Sequence, residues 1–199
     1  MKSLLKFSFL ILLIVIISSP LFSKELSEQR QQFINCALEL LGTPYSYGSR
    51  VPDPGIDCSG LVAYCARKAL KVNFTGSSQG MYFNSTIIKD EEREPGDLLF
   101  FSNYNDSSRI THVAIYLGKY HENGVFKGKY VFIHSVSDGA KTGVVLSSLD
   151  DTNFWTNHYI ASGRFLPSTK NKNNFIQSDP ILFEIDTWWN NIDTTKWFN

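Results

Sequence analysis

The chain lacks an excess of charge, a long apolar segment and any internal repeat. Its 19 basic and 19 acidic residues cancel, which argues against a polyanionic partner such as nucleic acid. Its apolar stretch from Phe7 to Ile17 is shorter than the roughly 20 residues that a membrane-spanning helix needs. The 199 residues are nevertheless 43% hydrophobic and 14% aromatic, so a folded domain with a real core is expected.

The apolar stretch near the N-terminus predicts export. Lys2 and Lys6 precede it, and the small residues Ser19 and Ser23, together with the helix breaker Pro20, follow it. This order is typical of a signal peptide, so we expect residues 1–23 to be removed by cleavage after Ser23. No cysteine lies near that position, and a lipid-anchored N-terminus is therefore not expected. An uncleaved membrane anchor is the alternative.

Cysteine is scarce, and the number of cysteines is odd. Only Cys36, Cys58 and Cys65 are present, so in an oxidising compartment at least one thiol should stay unpaired. Cys58 and Cys65 are seven residues apart on one predicted helix, which separates their Cα atoms by roughly 10 Å. A disulfide needs less than about 7 Å. A bridge between Cys36 and Cys65 would leave Cys58 free, and two unpaired core cysteines are the simpler alternative.

The hydrophobic pattern predicts an α+β domain over residues 24–167. Apolar residues recur at helical spacing over Ser27 to Leu41, and a second helix should start at Cys58. The segment Tyr45 to Asp57 between them is too rich in proline and glycine for regular structure. After Gly76 we expect short strands, and helices followed by strands indicate helices packed on an antiparallel sheet. The predicted strands are Leu98 to Phe101, Val113 to Leu117, Tyr130 to His134, Gly143 to Leu146 and His158 to Phe165.

The composition of two further segments predicts their structure. Lys119 to Lys129 is expected to be a polar hairpin extension with Asn123-Gly124 at its tip. Residues 168–199 are expected to form a polar linker and a Trp-rich C-terminal extension. That extension either covers an edge of the domain or supplies aromatic platforms for a glycan or a partner protein.

The sequence Asp57-Cys58-Ser59-Gly60 lies at the junction of a loop and a helix, which suits a reactive thiol. Unpaired N–H groups and the positive end of the helix dipole favour a thiolate there and could stabilise an oxyanion. Asp57 or Ser59 can cap the first turn. Ser59 is a poor candidate for a serine nucleophile, because no Gly-x-Ser-x-Gly motif surrounds it. The alternative is that Cys58 is only a small buried residue.

A thiol nucleophile needs a proton acceptor and a group that orients it. His112 begins one predicted strand and His134 ends another, so both can lie on one face of the sheet if the strands are neighbours. His121 lies in the polar hairpin and is expected to be solvated. His158 is expected to serve packing or capping.

Five motifs in consistent order make the chain resemble the NlpC/P60 family of papain-like cell-wall cysteine peptidases. The resemblance covers about Gln31 to Pro167. The motifs are Leu-Gly-Thr-Pro-Tyr-Ser-Tyr-Gly (41–48), Asp-Cys-Ser-Gly-Leu-Val (57–62), Pro-Gly-Asp-Leu-Leu-Phe-Phe (95–101), Thr-His-Val-Ala-Ile-Tyr-Leu-Gly (111–118) and Phe-Ile-His-Ser (132–135). His134 follows His112 by a longer gap than is usual in the family, because residues 119–129 are inserted.

The resemblance implies a papain-like α+β fold and a catalytic triad of Cys58, His112 and His134, with no metal or other cofactor. It implies hydrolysis of peptidoglycan stem peptides, most often between the γ-carboxyl of D-glutamate and the following diamino acid. Tyr45 would line the site, and Asp57 and Ser59 could contact the free amino end of the substrate. The enzyme would be periplasmic, extracellular or associated with the cell wall.

Three alternatives remain open for the same residues. The domain could be a non-catalytic wall-binding module, or it could catalyse another amide acyl transfer. Cys58, His112 and His134 could also be ligands of a zinc ion, since these residue types can form a site with an open position.

Overall fold

The computed structural model describes residues 28–104, 106, 108–120, 125–138, 141–150 and 153–166. It contains four α-helices, one 3-10 helix and eight β-strands within these ranges. The helices are α1 (28–38), α2 (Cys58–Leu70), α3 (Ser78–Phe83) and α4 (Asn153–His158), with the 3-10 helix at Asp90–Glu92. The strands are β1 (Arg50–Val51), β2 (Gly55–Ile56), β3 (Thr86–Ile88), β4 (Leu98–Phe101), β5 (His112–Lys119), β6 (Tyr130–Asp138), β7 (Lys141–Ser148) and β8 (Tyr159–Arg164).

Six of the strands form one antiparallel sheet in the order β3-β8-β4-β5-β6-β7. The neighbouring strands β5 and β6 pair Ile115 with Ile133, which brings the first residues of β5 close to the middle of β6. Strand β7 pairs with β6 and places Val145 opposite His134. This sheet and the helices confirm the predicted α+β class.

The sheet separates two cores. Because side chains alternate between the faces of a strand, Leu98 and Phe100 of β4 pack on one face and Leu99 and Phe101 on the other. We call the first the helix-side core, since it also contains the buried residues of α1 and α2. We call the second the aromatic-side core. It consists of Leu99, Phe101, Ala114, Tyr116 and Phe132, with Leu149, Trp155 and Tyr159 packed against them.

A buried cluster of charges attaches α1 to the sheet. The Arg30 guanidinium, 1% exposed, donates to Asp97 Oδ1 at 3.1 Å and to the Pro95 carbonyl oxygen at 2.7 Å. Arg164 of β8 donates to the same Asp97 carboxylate at 2.9 and 2.7 Å. Two guanidinium groups thus share one buried carboxylate, which satisfies these charges away from water.

Most of the predicted elements are confirmed. Helix α2 begins at Cys58, and all five predicted strands are present with shifts of a few residues at their ends. Helix α1 ends at residue 38 instead of Leu41, because residues 39–42 form turns. Ser27, residues 121–124 of the predicted hairpin with its tip at Asn123-Gly124, the predicted signal peptide and the predicted Trp-rich extension lie outside the described residues. No helix in the described part of the chain is long and apolar enough to cross a membrane.

Two expectations for local structure are wrong. The segment Tyr45 to Asp57 contains the antiparallel pair β1 and β2, because its prolines lie in the turn between the two short strands. The region after Gly76 begins with helix α3 and not with a strand. This helix has only six residues, and it depends on tertiary contacts: Met81 is fully buried, and Ser78 Oγ donates to the Ile110 carbonyl oxygen at 3.2 Å.

The three cysteines are all free thiols. Cys36 of α1 and Cys65 of α2 are buried, and their side chains form a hydrogen bond with each other. Of the two arrangements that the sequence leaves open, the structure has the unpaired core cysteines.

Candidate active site

Cys58 is the first residue of α2, and Asp57 caps that helix. Asp57 Oδ1 accepts hydrogen bonds from the Gly60 main-chain N–H at 2.6 Å and from the Ser59 hydroxyl at 3.0 Å. Asp57 Oδ2 accepts from the Gly48 N–H at 2.9 Å, so one carboxylate joins the loop to the helix. The predicted capping role of Asp57 is therefore confirmed, and Ser59 supports the cap.

The close approach of the loop to α2 requires glycine at position 60. A Cβ atom there would lie 2.1 Å from the Ser49 carbonyl oxygen, which is far inside van der Waals contact. Gly60 thus lets the loop pack directly on the first turn of the helix. This packing holds Cys58 at the start of α2.

The Cys58 thiol lies against the start of β5. The main-chain N–H of Val113, the residue after His112, forms a hydrogen bond to the sulfur, and the N–H groups of Cys58 and Ser59 also face it. Burial raises the pKa of Cys58 to about 11, while these three N–H groups act in the opposite direction. The free thiol is therefore protonated at neutral pH, and it needs a base when it reacts.

The two predicted histidines are hydrogen-bonded to each other and to a serine. His112 Nε2 and His134 Nδ1 are 2.9 Å apart, and His134 Nε2 lies 3.0 Å from Ser147 Oγ. Burial lowers the pKa of His112 to about 4, opposed by the charge of Asp57. Burial, and then the neighbouring His112, hold the pKa of His134 well below its usual value. Both imidazoles are therefore neutral at pH 7 and able to accept a proton.

Aromatic rings of the aromatic-side core enclose the histidine pair. The Trp155 ring centroid lies 5.5 Å from that of His112 and 4.8 Å from that of His134. Phe101 lies 5.9 Å from His112, and Phe132 lies 5.0 Å from His134. These rings fix the imidazole planes and keep His134 fully buried. His134 is thus shielded from water, whereas His112 is partly exposed.

Tyr45 lies beside the thiol. Burial raises the pKa of its hydroxyl, and the nearby Cys58 and Asp57 raise it further. The hydroxyl also forms a hydrogen bond with Ser137. A neutral phenol held in this way can donate a hydrogen bond toward the space next to Cys58.

The other two histidines of the sequence, His121 and His158, are not part of this cluster in the described residues. His158 ends α4, where its Nδ1 lies 2.7 Å from the Phe154 carbonyl oxygen and its ring stacks on Phe154, as expected of a packing residue. His121 lies outside the described residues.

His112 and His134 direct their ring nitrogens at each other, and no group of three potential metal ligands occurs in the described ranges. The geometry gives the zinc alternative no support.

Ser147 and Trp155 contact the histidine pair but were not predicted. Ser147 lies on β7, two residues beyond the partner of His134, and Trp155 lies on the short helix α4. Neither belongs to a sequence motif. Only the register of β6 and β7 and the packing of α4 on the sheet bring them to the site.

A cysteine at a helix N-terminus, beside the strand that carries one of two hydrogen-bonded histidines, is an arrangement that suits a thiol nucleophile and its base. Comparison with known proteins identifies the family. The NlpC/P60 family model matches residues 42–164, and the chain belongs to this family.

Relatives and solved structures agree with this assignment. The chain is 29% identical over 160 residues to the gamma-DL-glutamyl hydrolase of Bacillus subtilis (strain 168), covering 78% of this chain and 35% of the relative. It is 30% identical to the murein DD-endopeptidase MepH of Escherichia coli (strain K12), covering 67% of this chain and 45% of the relative. The chain thus spans less than half the length of these relatives.

The fold itself recurs in solved structures. An NLP/P60 family protein of Staphylococcus aureus subsp. aureus Mu50, described as similar to lipoprotein, has a TM-score of 0.54 and 32% identity. That match covers 71% of this chain and 42% of the other. RipD of Mycobacterium tuberculosis shares the fold at a TM-score of 0.51 and 22% identity, over 69% of this chain and 98% of the other. RipD is described as a non-catalytic NlpC/p60 domain protein adapted to peptidoglycan binding, so the fold alone does not imply catalysis.

Proposed function

We propose that the protein is an exported cysteine endopeptidase that hydrolyses peptidoglycan stem peptides, with Cys58 as nucleophile, His112 as base and His134 as the residue that orients His112. One observation carries the proposal. The thiol lies against the N–H of Val113, the residue after His112, and the Nε2 of His112 is hydrogen-bonded to a second, buried histidine. The names of the relatives support a peptidoglycan substrate.

The reaction follows from the protonation states. The thiol and the imidazole are both neutral at rest, so His112 takes the proton of Cys58 through Nδ1 as sulfur attacks the carbonyl carbon. The resulting oxyanion accepts hydrogen bonds from N–H groups at the start of α2, including that of Cys58, and from the hydroxyl of Tyr45. His112 then gives its proton to the leaving amine, and a thioester remains on Cys58. Water, deprotonated by His112, hydrolyses this thioester and restores the thiol.

We assign the scissile bond to the link between the γ-carboxyl of D-glutamate and the following diamino acid. The name of the Bacillus relative favours this bond, whereas the name of the Escherichia coli relative favours a bond between two D-amino acids. Asp57 and Ser59 are proposed to contact the free amino end of the substrate. Three hydrogen bonds to the Asp57 carboxylate leave part of its acceptor capacity for such a contact.

The domain organisation is part of the proposal. Residues 1–23 act as a cleaved signal peptide, residues 24–167 form the peptidase domain, and residues 168–199 form a linker and a Trp-rich extension. A peptidoglycan substrate requires such an exported protein, periplasmic or associated with the cell wall.

A digestion experiment tests the activity. Purified peptidoglycan is incubated with the protein lacking residues 1–23, with Cys58→Ala and with the matched control Cys65→Ala, which changes a buried cysteine of the same helix. We expect fragments with a new amino terminus on the diamino acid, identified by mass, from all but Cys58→Ala. Equal product from Cys58→Ala would exclude the thiol mechanism. Binding without product from any variant would instead favour a wall-binding module.

A further inference from the structure

The hydrogen-bonded chain at the site does not end at the second histidine. His134 Nε2 lies 3.0 Å from Ser147 Oγ, and His134 is fully buried among aromatic rings. We propose that Ser147 is a positioning residue that sets the tautomer of both histidines, so that the bare nitrogen of His112 faces Cys58. This inference rests on the proposed roles of Cys58 and His112.

The two histidines share one proton between their facing nitrogens, so their tautomers are coupled. If Ser147 Oγ accepts a hydrogen bond from His134 Nε2–H, then His134 Nδ1 is bare and accepts the Nε2–H of His112. His112 Nδ1 is then bare as well, and it can receive the proton of Cys58. If Ser147 donates instead, each proton moves to the other nitrogen, and His112 presents an N–H where a base is needed.

The position of Ser147 favours the accepting role. Strand β7 is one of the two edge strands of the sheet formed by the described residues, and Ser147 is partly exposed while His134 is not. The hydroxyl hydrogen can therefore point to solvent while a lone pair faces the imidazole. When His112 takes a second proton during the reaction, the positive charge also favours His112 Nε2–H as donor to His134 and His134 Nε2–H as donor to Ser147.

The register of the sheet makes the contact specific. Strand β7 pairs Ser147 with Phe132 and Val145 with His134, so Ser147 is the diagonal neighbour of His134 on the same face. Ser148, the next residue, is fully buried, and it accepts a hydrogen bond from the Asp150 N–H at 2.9 Å. Ser148 thus offers a matched control, since it is a serine on the same strand with its side chain on the other face.

The test compares the full-length wild-type protein with Ser147→Ala, Ser147→Thr and Ser148→Ala. The first readout is NMR of ¹⁵N-labelled histidine rings, which identifies the protonated nitrogen of His112 without any substrate. The second is the rate at which iodoacetamide alkylates Cys58, followed by mass spectrometry. The third is thermal unfolding, which reports whether each variant is folded.

We expect His112 to carry its proton on Nε2 in the wild type, in Ser147→Thr and in Ser148→Ala, and to carry it mainly on Nδ1 in Ser147→Ala. Alkylation of Cys58 at neutral pH should slow by roughly 10-fold to 100-fold in Ser147→Ala alone. This is the factor by which loss of the acceptor for the buried His134 Nε2–H should shift the tautomer equilibrium. Ser147→Thr should react at close to the wild-type rate, because it keeps the hydroxyl.

Two results would overturn the inference. One is a proton on Nδ1 of His112 in the wild type, and the other is an unchanged tautomer and alkylation rate in Ser147→Ala. Neither readout uses peptidoglycan, so a protein that cleaves no peptidoglycan would refute the proposed activity while leaving the tautomer result interpretable. If the activity is present, Ser147→Ala should lower kcat with little change in KM.

Discussion

The two faces of the central sheet contribute differently to this protein. The helix-side core is the larger, and it contains buried aliphatic residues of α1, α2 and five strands. The aromatic-side core is small, yet its rings surround His112 and His134. Cys58 reaches the site on a helix of the first face, and the histidines reach it from the second.

The two faces of the sheet therefore contribute unequally to stability and to reactivity. The position of Cys58 depends on local structure, the capped N-terminus of α2, which a few consecutive residues form. The base depends on strand register, on a buried hydrogen-bonded chain and on a short helix that packs over it. Changes on the two faces should therefore have separable effects.

Two cysteines of α2 give the largest expected contrast. Cys58→Ala should lower kcat/KM by more than about 10,000-fold, because loss of a nucleophile removes the covalent route. Cys65→Ala, a change in the helix-side core, should leave kcat/KM of the folded protein within a few-fold of the wild type. Steady-state hydrolysis of a stem-peptide substrate measures both. A large loss of activity in folded Cys65→Ala would contradict the division between the faces.

Removal of the second histidine should have the next largest effect. His134→Ala leaves His112 without its hydrogen-bond partner, so we expect kcat to fall by roughly 100-fold to 10,000-fold while KM changes little. His134→Gln keeps a side chain that can accept from His112 Nε2–H and should recover part of this loss. If both variants kept the wild-type kcat, His134 would have no part in orienting the base.

Leu98 and Leu99 are neighbours on β4, are both fully buried, and face opposite cores. Truncation of either to alanine should lower the free energy of unfolding by about 2–5 kcal/mol. Only Leu99→Ala should also lower kcat, because its cavity loosens Phe101 and Phe132, which contact the histidines. Urea denaturation and steady-state kinetics would measure the two effects. Equal kcat values for both variants would argue that the faces are not functionally distinct.

The pH dependence should reflect the buried histidines. Since the pKa of His112 is lowered to about 4 in the folded state, the neutral base persists well below pH 6.5, and kcat/KM should decline only as the pH approaches about 4. The unfolded chain binds a proton to this residue near pH 6.5, so stability should be complete above that value. The contribution of His112 to the free energy of unfolding should fall by roughly 3 kcal/mol between pH 6.5 and about 4, and His134, whose pKa is also lowered, adds to this loss.

His112→Gln supplies the control for this titration. It removes the titrating group, so the loss of stability on acidification should be smaller in this variant when unfolding is measured between pH 7 and 4. An activity that halves near pH 6.5 in the wild type would show that the imidazole is not buried as described.

The sequence predicts much of the fold and part of the site. The strands from Leu98 onward and the start of α2 are visible in local alternation, capping and helix spacing, which depend on near neighbours. Helix α3 and the β1-β2 pair cannot be recognised in the sequence, because each is too short to show a hydrophobic period. Helix α3 also depends on distant contacts such as that of Ser78 with Ile110.

By itself, the sequence determined the thiol at a capped helix N-terminus, the two candidate histidines and the α+β order of elements, because these properties belong to consecutive residues. Only the tertiary structure decided that His112 and His134 are hydrogen-bonded, that Ser147 continues the chain and that Trp155 covers the pair. The physical reason is strand register. A shift of one residue between β6 and β7 would turn Ser147 to the opposite face, and no local pattern at Ser147 reveals which register the sheet adopts.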